Sequence, residues 1–272
     1  MPSSTDQLGR TITLDHLPRR IISLVPSQTE LLYDLDANVV GITKFCIHPS
    51  TWFQEKPRIG GTKDIDPDKI DALQPDLIIA NKEENDRDQV EALAARYPVW
   101  TSDIHNLDDA IAMIRSVGEL IGQTAKAQTL ATDIEKAFSD LTAISPSSPI
   151  PFAIPSPTTS TTPSPLRTVY FIWRNPWMTV GGDTFIHDML QRCGLTNLFV
   201  TESRYPVVDP STLSNCDLVL LSSEPYPFRA RHLQEIQTLL PNVIVRLVDG
   251  EPFSWYGSRL LRAPAYFRQF LK

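Results

Sequence analysis

Cysteine, histidine and basic residues are scarce in this 272-residue chain, and each scarcity excludes something. The three cysteines, Cys46, Cys193 and Cys216, are odd in number and far apart. Such a set makes neither a disulfide framework nor a zinc signature, although one bridge stays compatible with it. Buried thiols are the default reading. The five histidines, His16, His48, His105, His187 and His232, never fall at the H-x-x-x-H spacing that seats a metal on one helix face. Lys and Arg number 25 against 32 Asp and Glu, a formal net charge of −7. A nucleic-acid partner would need a basic face, so none is expected. No apolar run approaches the roughly 20 residues that would span a bilayer, so no transmembrane segment is expected. A nucleophile elbow of the G-x-S-x-G kind is also missing. Gly181-Gly182 before Asp183 and Thr184 lacks the Lys-Ser/Thr signature of a phosphate cradle, and helix capping suffices to explain it. The first residues carry neither a basic stretch nor an apolar one, so no secretory signal is read there. The expectation is a cytoplasmic protein as the chain stands, or a periplasmic or cell-surface one if an export signal has been removed.

What is present is a regular alternation of buried-strand and helical patterns, with 42 % hydrophobic residues to fill cores. Residues 8–17 alternate weakly, as a hairpin edge does. Strands follow at Arg20–Val25, Val39–Thr43, Leu77–Ala80 and Val99–Thr101. Between them lie helices Glu30–Leu35, capped by Ser27 or Thr29, then Pro67–Leu73 and Arg87–Tyr97; His48–Pro57 reads as a loop. Asp66-Pro67-Asp68 is a helix start: a capping carboxylate, a proline at the first helical position, and an acidic side chain on the positive end of the dipole. From Leu107 to Ala143 the helical period is unbroken except at Gly122-Gln123, and the second helix is about 30 Å long, enough for a spine. The strand pattern resumes at Thr168–Trp173, Leu218–Ser222 and Val243–Val248, with helices at Asp183–Gln191, Arg229–Leu240 and Trp255–Phe270. Strands alternating with helices imply parallel sheets. The fold class expected is α/β: two Rossmann-like lobes joined by a single long backbone helix, with a ligand cleft between the lobes. The expected divisions are an N-terminal lobe at 1–105, a helical segment at 106–144, a Pro/Ser/Thr-rich flexible linker at 145–166 and a C-terminal lobe at 167–272.

The loops that leave the carboxyl ends of strands carry the candidate site, since ligands of open α/β sheets bind there. Asn81-Lys82-Glu83-Glu84-Asn85 and Gly60-Gly61-Thr62-Lys63 offer Thr62, Lys63, Asn81 and Glu83 to a polar ligand rim; a solvated loop that caps the next helix is the plainer alternative. The second half adds Trp173, Arg174, Trp177, Tyr205, Phe253, Trp255 and Tyr256. Aromatic faces suit a flat macrocycle and an adjacent Arg suits a carboxylate, while core packing accounts for part of the set. Trp173, Trp177 and Trp255 are the strongest of these. His48 is within reach of an axial position on a bound metal, or faces solvent. The loops hold no nucleophile–base pair and no ligand cluster, so the chemistry favours grasping over turnover.

The segments GRTITL…PRRIISLVPSQTELLYDL, VVGIT, GGTKDIDPDKIDALQPDLIIA and VYFIWRNPWMTVGGDTFIHDMLQRCGLTNLF resemble the solute-binding proteins of ABC importers for cobalamin, haem and iron–siderophores, the helical backbone metal receptors. The resemblance covers nearly the whole chain after Thr5 and is closest to cobalamin-binding members. It implies two lobes on one long helix, little hinge motion, aromatic side chains from both lobes around the ligand, and a carboxylate at each lobe tip for a permease. Position by position, the ligand aromatics fall on Phe45 and Trp173. Two further tryptophans of the family become Thr62 and Asn81. The docking carboxylates fall on Asp68, one methylene shorter than the usual glutamate, and on Ser211, which has no charge.

These readings combine into an expected non-enzymatic solute-binding protein of the ABC-importer type. Its ligand is a metal chelate, a corrinoid before an iron–siderophore or haem, carried as cargo with no covalently bound cofactor and no protein-held metal. Its other partner is an ABC permease. Two alternatives stay open: a cytoplasmic sensor or chaperone not coupled to a permease, and an enzyme on the same scaffold with Lys63, Glu83 or Glu84 as acid–base groups.

Overall fold

The computed structural model describes residues 1–143 and 165–270. Most of the Pro/Ser/Thr tract, whose linker role is an expectation from composition, lies outside them. The chain divides into two compact units. The first holds residues 1–104, 108–135 and 255–261; the second holds 105–107, 136–254 and 262–272.

In the first unit a short antiparallel hairpin, β1 (Ser3–Thr5) and β2 (Thr11–Thr13), precedes a four-stranded parallel sheet. Its strands are β3 (Ile21–Ser23), β4 (Val39–Ile42), β5 (Leu77–Asn81) and β6 (Val99–Ser102), in the order β4-β3-β5-β6. All five residues of β5 are buried, as expected for a strand covered on both faces of a parallel sheet. Around the sheet lie α1 (Pro26–Asp34), α2 (Ser50–Glu55), α3 (Pro67–Leu73) and α4 (Arg87–Ala94). Ile22, Leu24, Ile59, Ile70, Ile78, Val90 and Leu93 make the core between sheet and helices. Two helices follow, α5 (Leu107–Leu120) and α6 (Thr124–Ala143), broken at Gly122 as the sequence indicates. The twenty residues of α6 begin in the first unit and end in the second.

The second unit repeats the plan. Its strands β7 (Arg167–Phe171), β8 (Thr196–Asn197), β9 (Leu218–Ser222) and β10 (Ile244–Val248) are ordered β10-β9-β7-β8, all parallel. Each sheet therefore places its first strand centrally, with the second on one side and the third and fourth on the other. The connections reverse direction between β3 and β5, and again between β7 and β9. The carboxyl end of that strand pair is where an open α/β sheet leaves a crevice. Helices α7 (Phe185–Arg192), α8 (Ala230–Leu239), α9 (Glu251–Ser254) and α10 (Ala263–Phe270) complete the unit, over a core of Val169, Phe171, Val219, Leu221, Phe228 and Ile236.

Three local readings change. Helix α1 starts at Pro26 rather than Glu30, with Val25 ahead of it and no side-chain cap; proline at the first position needs no amide partner. Thr29, one of the two capping candidates, instead donates its hydroxyl to Ser23 Oγ at 2.7 Å and to the Val25 carbonyl at 2.9 Å. The loop expected at 48–57 contains α2, which buries none of its residues and so left no apolar period to read. The closing helix expected over 255–270 is broken. Gly257, at φ +146°, fits against the Ser27 carbonyl, where a Cβ would stand 2.9 Å from the oxygen. Arg259 then grips Glu30 with two bonds of 2.7 and 2.8 Å. Residues 255–261 thus belong to the first unit.

Two carboxylates tie neighbouring elements, Asp217 joining the inner strands β7 and β9 and Asp71 joining α3 to the turn before β6. Asp217 accepts from the Arg167 amide, Nε and Nη2, each at 2.9 Å, and this guanidinium holds its carboxyl below the usual range. Asp71, bonded by Arg96 and Tyr97, is lowered likewise. A carboxyl whose folded pKa is depressed stabilises the fold above its unfolded value, near 3.9, and loses that contribution as pH falls through the folded value. The urea midpoint should therefore drop between pH 5 and pH 3, and Asp217→Asn should flatten part of that drop. An identical pH profile in the variant would show that the pair carries none of it.

Candidate functional site

In the first unit the rim at the carboxyl ends of β3 to β6 is a hydrogen-bonded frame. Asn81 is 2 % exposed and spends its side chain inside the loop. Its Oδ1 accepts the amides of Glu83 and Glu84, both at 2.9 Å, while its Nδ2 donates to Ser102 Oγ at 3.0 Å. Asn85 donates to the Thr62 carbonyl at 3.0 Å and accepts from the Asn81 amide at 2.9 Å. Lys63 Nζ donates to the carbonyls of Glu83 (2.6 Å) and Asn85 (3.1 Å), stitching the two polar loops together. Gln28, from the first turn of α1, donates to Ser102 Oγ at 2.5 Å from a fully buried position. Tyr256 is buried under the same loops; burial raises its hydroxyl's pKa well above the ordinary value, and the nearby Glu84 and Glu83 carboxylates add to that. The polar groups of this rim are thus largely spent on one another.

Phe45 stands apart from this frame. It lies in the loop after β4 with 51 % of its surface exposed, and Lys44 Nζ sits 5.3 Å from its ring centroid. A phenylalanine so exposed on a strand's carboxyl rim exposes apolar surface without a core partner.

In the second unit the exposed ring is that of Trp173, just past the central strand β7, at 41 % exposure. Its ring meets Tyr226 edge-on at 5.7 Å, and Tyr226 leans in turn on Phe228 and His232. Because Trp173 follows β7 and Tyr226 follows β9, the two rings line the switch point of this sheet. Arg174 makes a two-pronged ion pair with Glu235 of α8, at 3.1 and 2.9 Å, so its charge is compensated. Tyr205 is half-buried, with the Arg204 guanidinium 5.4 Å from its ring. Burial and the guanidinium groups of Arg231 and Arg174 push the His232 imidazole below its ordinary range. Its Nδ1 accepts from the Arg229 amide at 3.0 Å.

The structure therefore brings Thr62, Lys63, Asn81 and Glu83 to one rim, with Asn81 and Lys63 as its internal braces. Two expected stacking faces are used elsewhere. Trp177 lies nearly parallel to Phe228 at 5.5 Å and edge-on to Phe171 at 4.9 Å, as part of the second core. Trp255 is only 7 % exposed: Arg259 covers its ring at 4.6 Å, and His48 packs edge-on against it at 5.6 Å. Tryptophan next to Pro or Gly reads the same from sequence in a core as on a rim, so burial alone could separate them. Tyr226 and Lys44 were missed. The alternation of strands could have found both, since each follows a parallel strand within a few residues.

Asp68 is exposed in the first turn of α3, and Ser211 is exposed in a short 3-10 turn at Pro210–Thr212. The neighbouring Asp209 carboxylate accepts from the Ser211 amide at 2.9 Å and its hydroxyl at 2.8 Å. Among the described residues no three His, Cys, Asp or Glu side chains are grouped to hold a metal, and no helix is long and apolar enough to cross a membrane. A shallow cavity of about 380 Å³, lined by Leu17, Arg19, Asp36, Asn38, Ile121 and Gln123, opens at the amino ends of β3 and β4, away from the rim.

Comparison with known proteins agrees with this fold. A family model described as "Periplasmic binding protein" matches residues 21–237. The vitamin B12-binding protein of Pectobacterium atrosepticum is 26 % identical over 190 residues, which are 67 % of this chain and 63 % of that protein. Among solved structures, the periplasmic vitamin B12-binding protein BtuF of Vibrio cholerae superposes with a TM-score of 0.73 at 22 % identity, covering 94 % of this chain and 97 % of that one. The apo periplasmic haem-binding protein RhuT of Roseiflexus sp. RS-1 does so with a TM-score of 0.72 at 18 % identity, covering 93 % and 99 %. With the model match spanning most of its length, this chain belongs to the periplasmic binding protein family.

Proposed function

We propose that this protein is a non-enzymatic solute-binding protein that captures a bulky metal chelate with a flat ring for an ABC importer. A corrinoid is the first choice of ligand, with haem or an iron–siderophore next, and such capture places the protein at the periplasmic face or cell surface. One observation supports this above the others: each unit has an exposed large aromatic ring, Phe45 in one and Trp173 in the other, just past a strand of its parallel sheet. Each ring can stack on a planar ligand, while Thr62, Glu83 and Tyr205 supply polar groups for its periphery and the engaged Lys63 and Arg174 brace the loops that carry them. Binding then rests on burying apolar ring area, and the polar groups set orientation. The metal travels as part of the cargo.

A titration with aquocobalamin, haem and a ferric hydroxamate, followed by visible absorption, tests the proposal. The expected result is a saturable band shift with one of them and recovery of that ligand unchanged. No saturable shift with any, or a chemically altered product, overturns it.

Permease docking is proposed at Asp68 and around Ser211, where Asp209 is the nearest carboxylate. A second reading, a binder that engages no permease, is favoured by the uncharged Ser211. Co-purification of the protein with the permease of its own importer ends that reading.

A further inference from the structure

We propose that Lys44 makes the rim selective for a ring whose edge carries an ionised carboxylate, over the neutral amide or ester of the same ring. The inference rests on the chelate-binding reading above and deepens it.

The turn at 60–64 packs against Lys44 and Phe45. The Lys44 amide donates to the Gly60 carbonyl at 2.8 Å. Gly60 has φ +104°, and a Cβ there would stand 2.3 Å from the Asp64 carbonyl, so this turn requires glycine. Next to it, Gly61 leaves the space that the pair occupies: a Cβ on Gly61 would lie 3.2 Å from Lys44 Cε and 3.3 Å from Phe45 Cε2. Lys44 is itself exposed, and its ammonium lies 5.3 Å from the ring centroid, on the same side of the turn as the ring.

The other cations of this region are engaged. Lys63 is bonded to two loop carbonyls, Lys82 pairs with Asp103 at 2.6 Å, and Arg58 lies over Phe53 at 4.4 Å while donating to the Lys56 carbonyl. Among the described residues no carboxylate stands within the 4.0 Å ion-pair distance of Lys44. The rim's own carboxylates, Glu83 and Glu84, act on Tyr256, on the loop after β5. In a chain of net charge −7, an ammonium without a carboxylate partner beside an exposed ring is a place for a ligand's negative group.

A stacked ring shields one side of the ammonium from water. A charge-assisted bond from Lys44 to a carboxylate on the ring's edge is then worth more than one to an amide, and more than an exposed surface pair.

The test uses pairs that share a chromophore and differ in edge charge: haem against haem dimethyl ester, and vitamin B12 against its monocarboxylic acid. Each is titrated at pH 7 into the full chain and into K44A and K44E. In the unaltered protein the acid member of the bound pair should be favoured about tenfold, the equivalent of one charge-assisted contact. That ratio should fall to within about twofold of one in K44A and reverse in K44E, and it should shrink with added salt. Equal affinity for both members in the unaltered protein, or an undiminished acid preference in K44A, overturns the inference while leaving chelate binding intact. Failure to bind all four compounds overturns this inference; only failure to bind the ferric hydroxamate as well removes the chelate-binding reading.

Discussion

Asp6→Ala should lower the unfolding free energy by about 2–4 kcal/mol, because it removes a buried carboxylate on which several donors depend, although its partner Arg10 is partly solvated. Asp6 has no exposed side-chain surface and serves five donors. Its Oδ1 accepts the amides of Leu8 at 3.0 Å and Arg10 at 2.8 Å. Its Oδ2 accepts Arg10 Nε at 2.9 Å, Nη2 at 2.7 Å and the Thr101 amide at 3.3 Å. Arg10 Nη2 also reaches Thr101 Oγ1 at 2.6 Å, so the hairpin turn is clamped onto β6. Without the carboxylate, the turn amides lose their acceptor, and the guanidinium keeps its charge with the ion pair gone. Asp6→Asn keeps the shape and one acceptor, and should cost less than half as much. Urea unfolding followed by tryptophan fluorescence measures both; Trp100 is well placed as the reporter, because its Nε1 donates to Ser4 on β1 at 3.3 Å. A loss below about 1 kcal/mol in the alanine variant would mean that the turn is only loosely coupled to the sheet.

Nothing in the sequence near Asp6 announced that network, and the reason is general. Features set by neighbours in sequence were legible. Asp66 does cap α3, accepting the Lys69 amide at 3.3 Å with Pro67 behind it. The runs Leu77–Ala80 and Leu218–Ser222 are fully buried parallel strands, and the helical stretch does break at Gly122. Features set by distant partners were not legible. The order of strands in each sheet depends on packing between elements many residues apart. Asn81 looks like a ligand group by type and by its place after a strand; only the positions of Ser102 and Asn85 reveal that its hydrogen bonds are already made. The same holds for Trp255, whose ring is claimed by Arg259, and for the whole stretch 255–261, drawn to the first unit by Glu30 and Ser27. The candidate site was legible as a set of loops, and of its aromatic candidates the two that the family resemblance carried, Phe45 and Trp173, are the ones with exposed rings.

Trp173→Ala should weaken chelate binding by tenfold or more. The indole is 41 % exposed, so a stacked ring can cover on the order of 100 Å² of it, worth roughly 2.5 kcal/mol before the cost of ordering the ligand. A loss of 1.4 kcal/mol is already tenfold. Truncation also removes the edge contact that holds Tyr226 at 5.7 Å, leaving a second ring at the β7–β9 switch point less constrained. Trp173→Phe separates stacking from mere bulk: it restores a flat face of smaller area and should recover most of the lost affinity, within about threefold of the unaltered protein. Both variants should keep the urea midpoint, because Trp173 lies outside the Val169–Phe171–Leu221 core that carries the unit's stability. Competition for a bound chromophore gives the affinities. An alanine variant that binds as tightly as the original, with an unchanged midpoint, would take Trp173 out of the site and leave the second sheet's rim without a stacking surface.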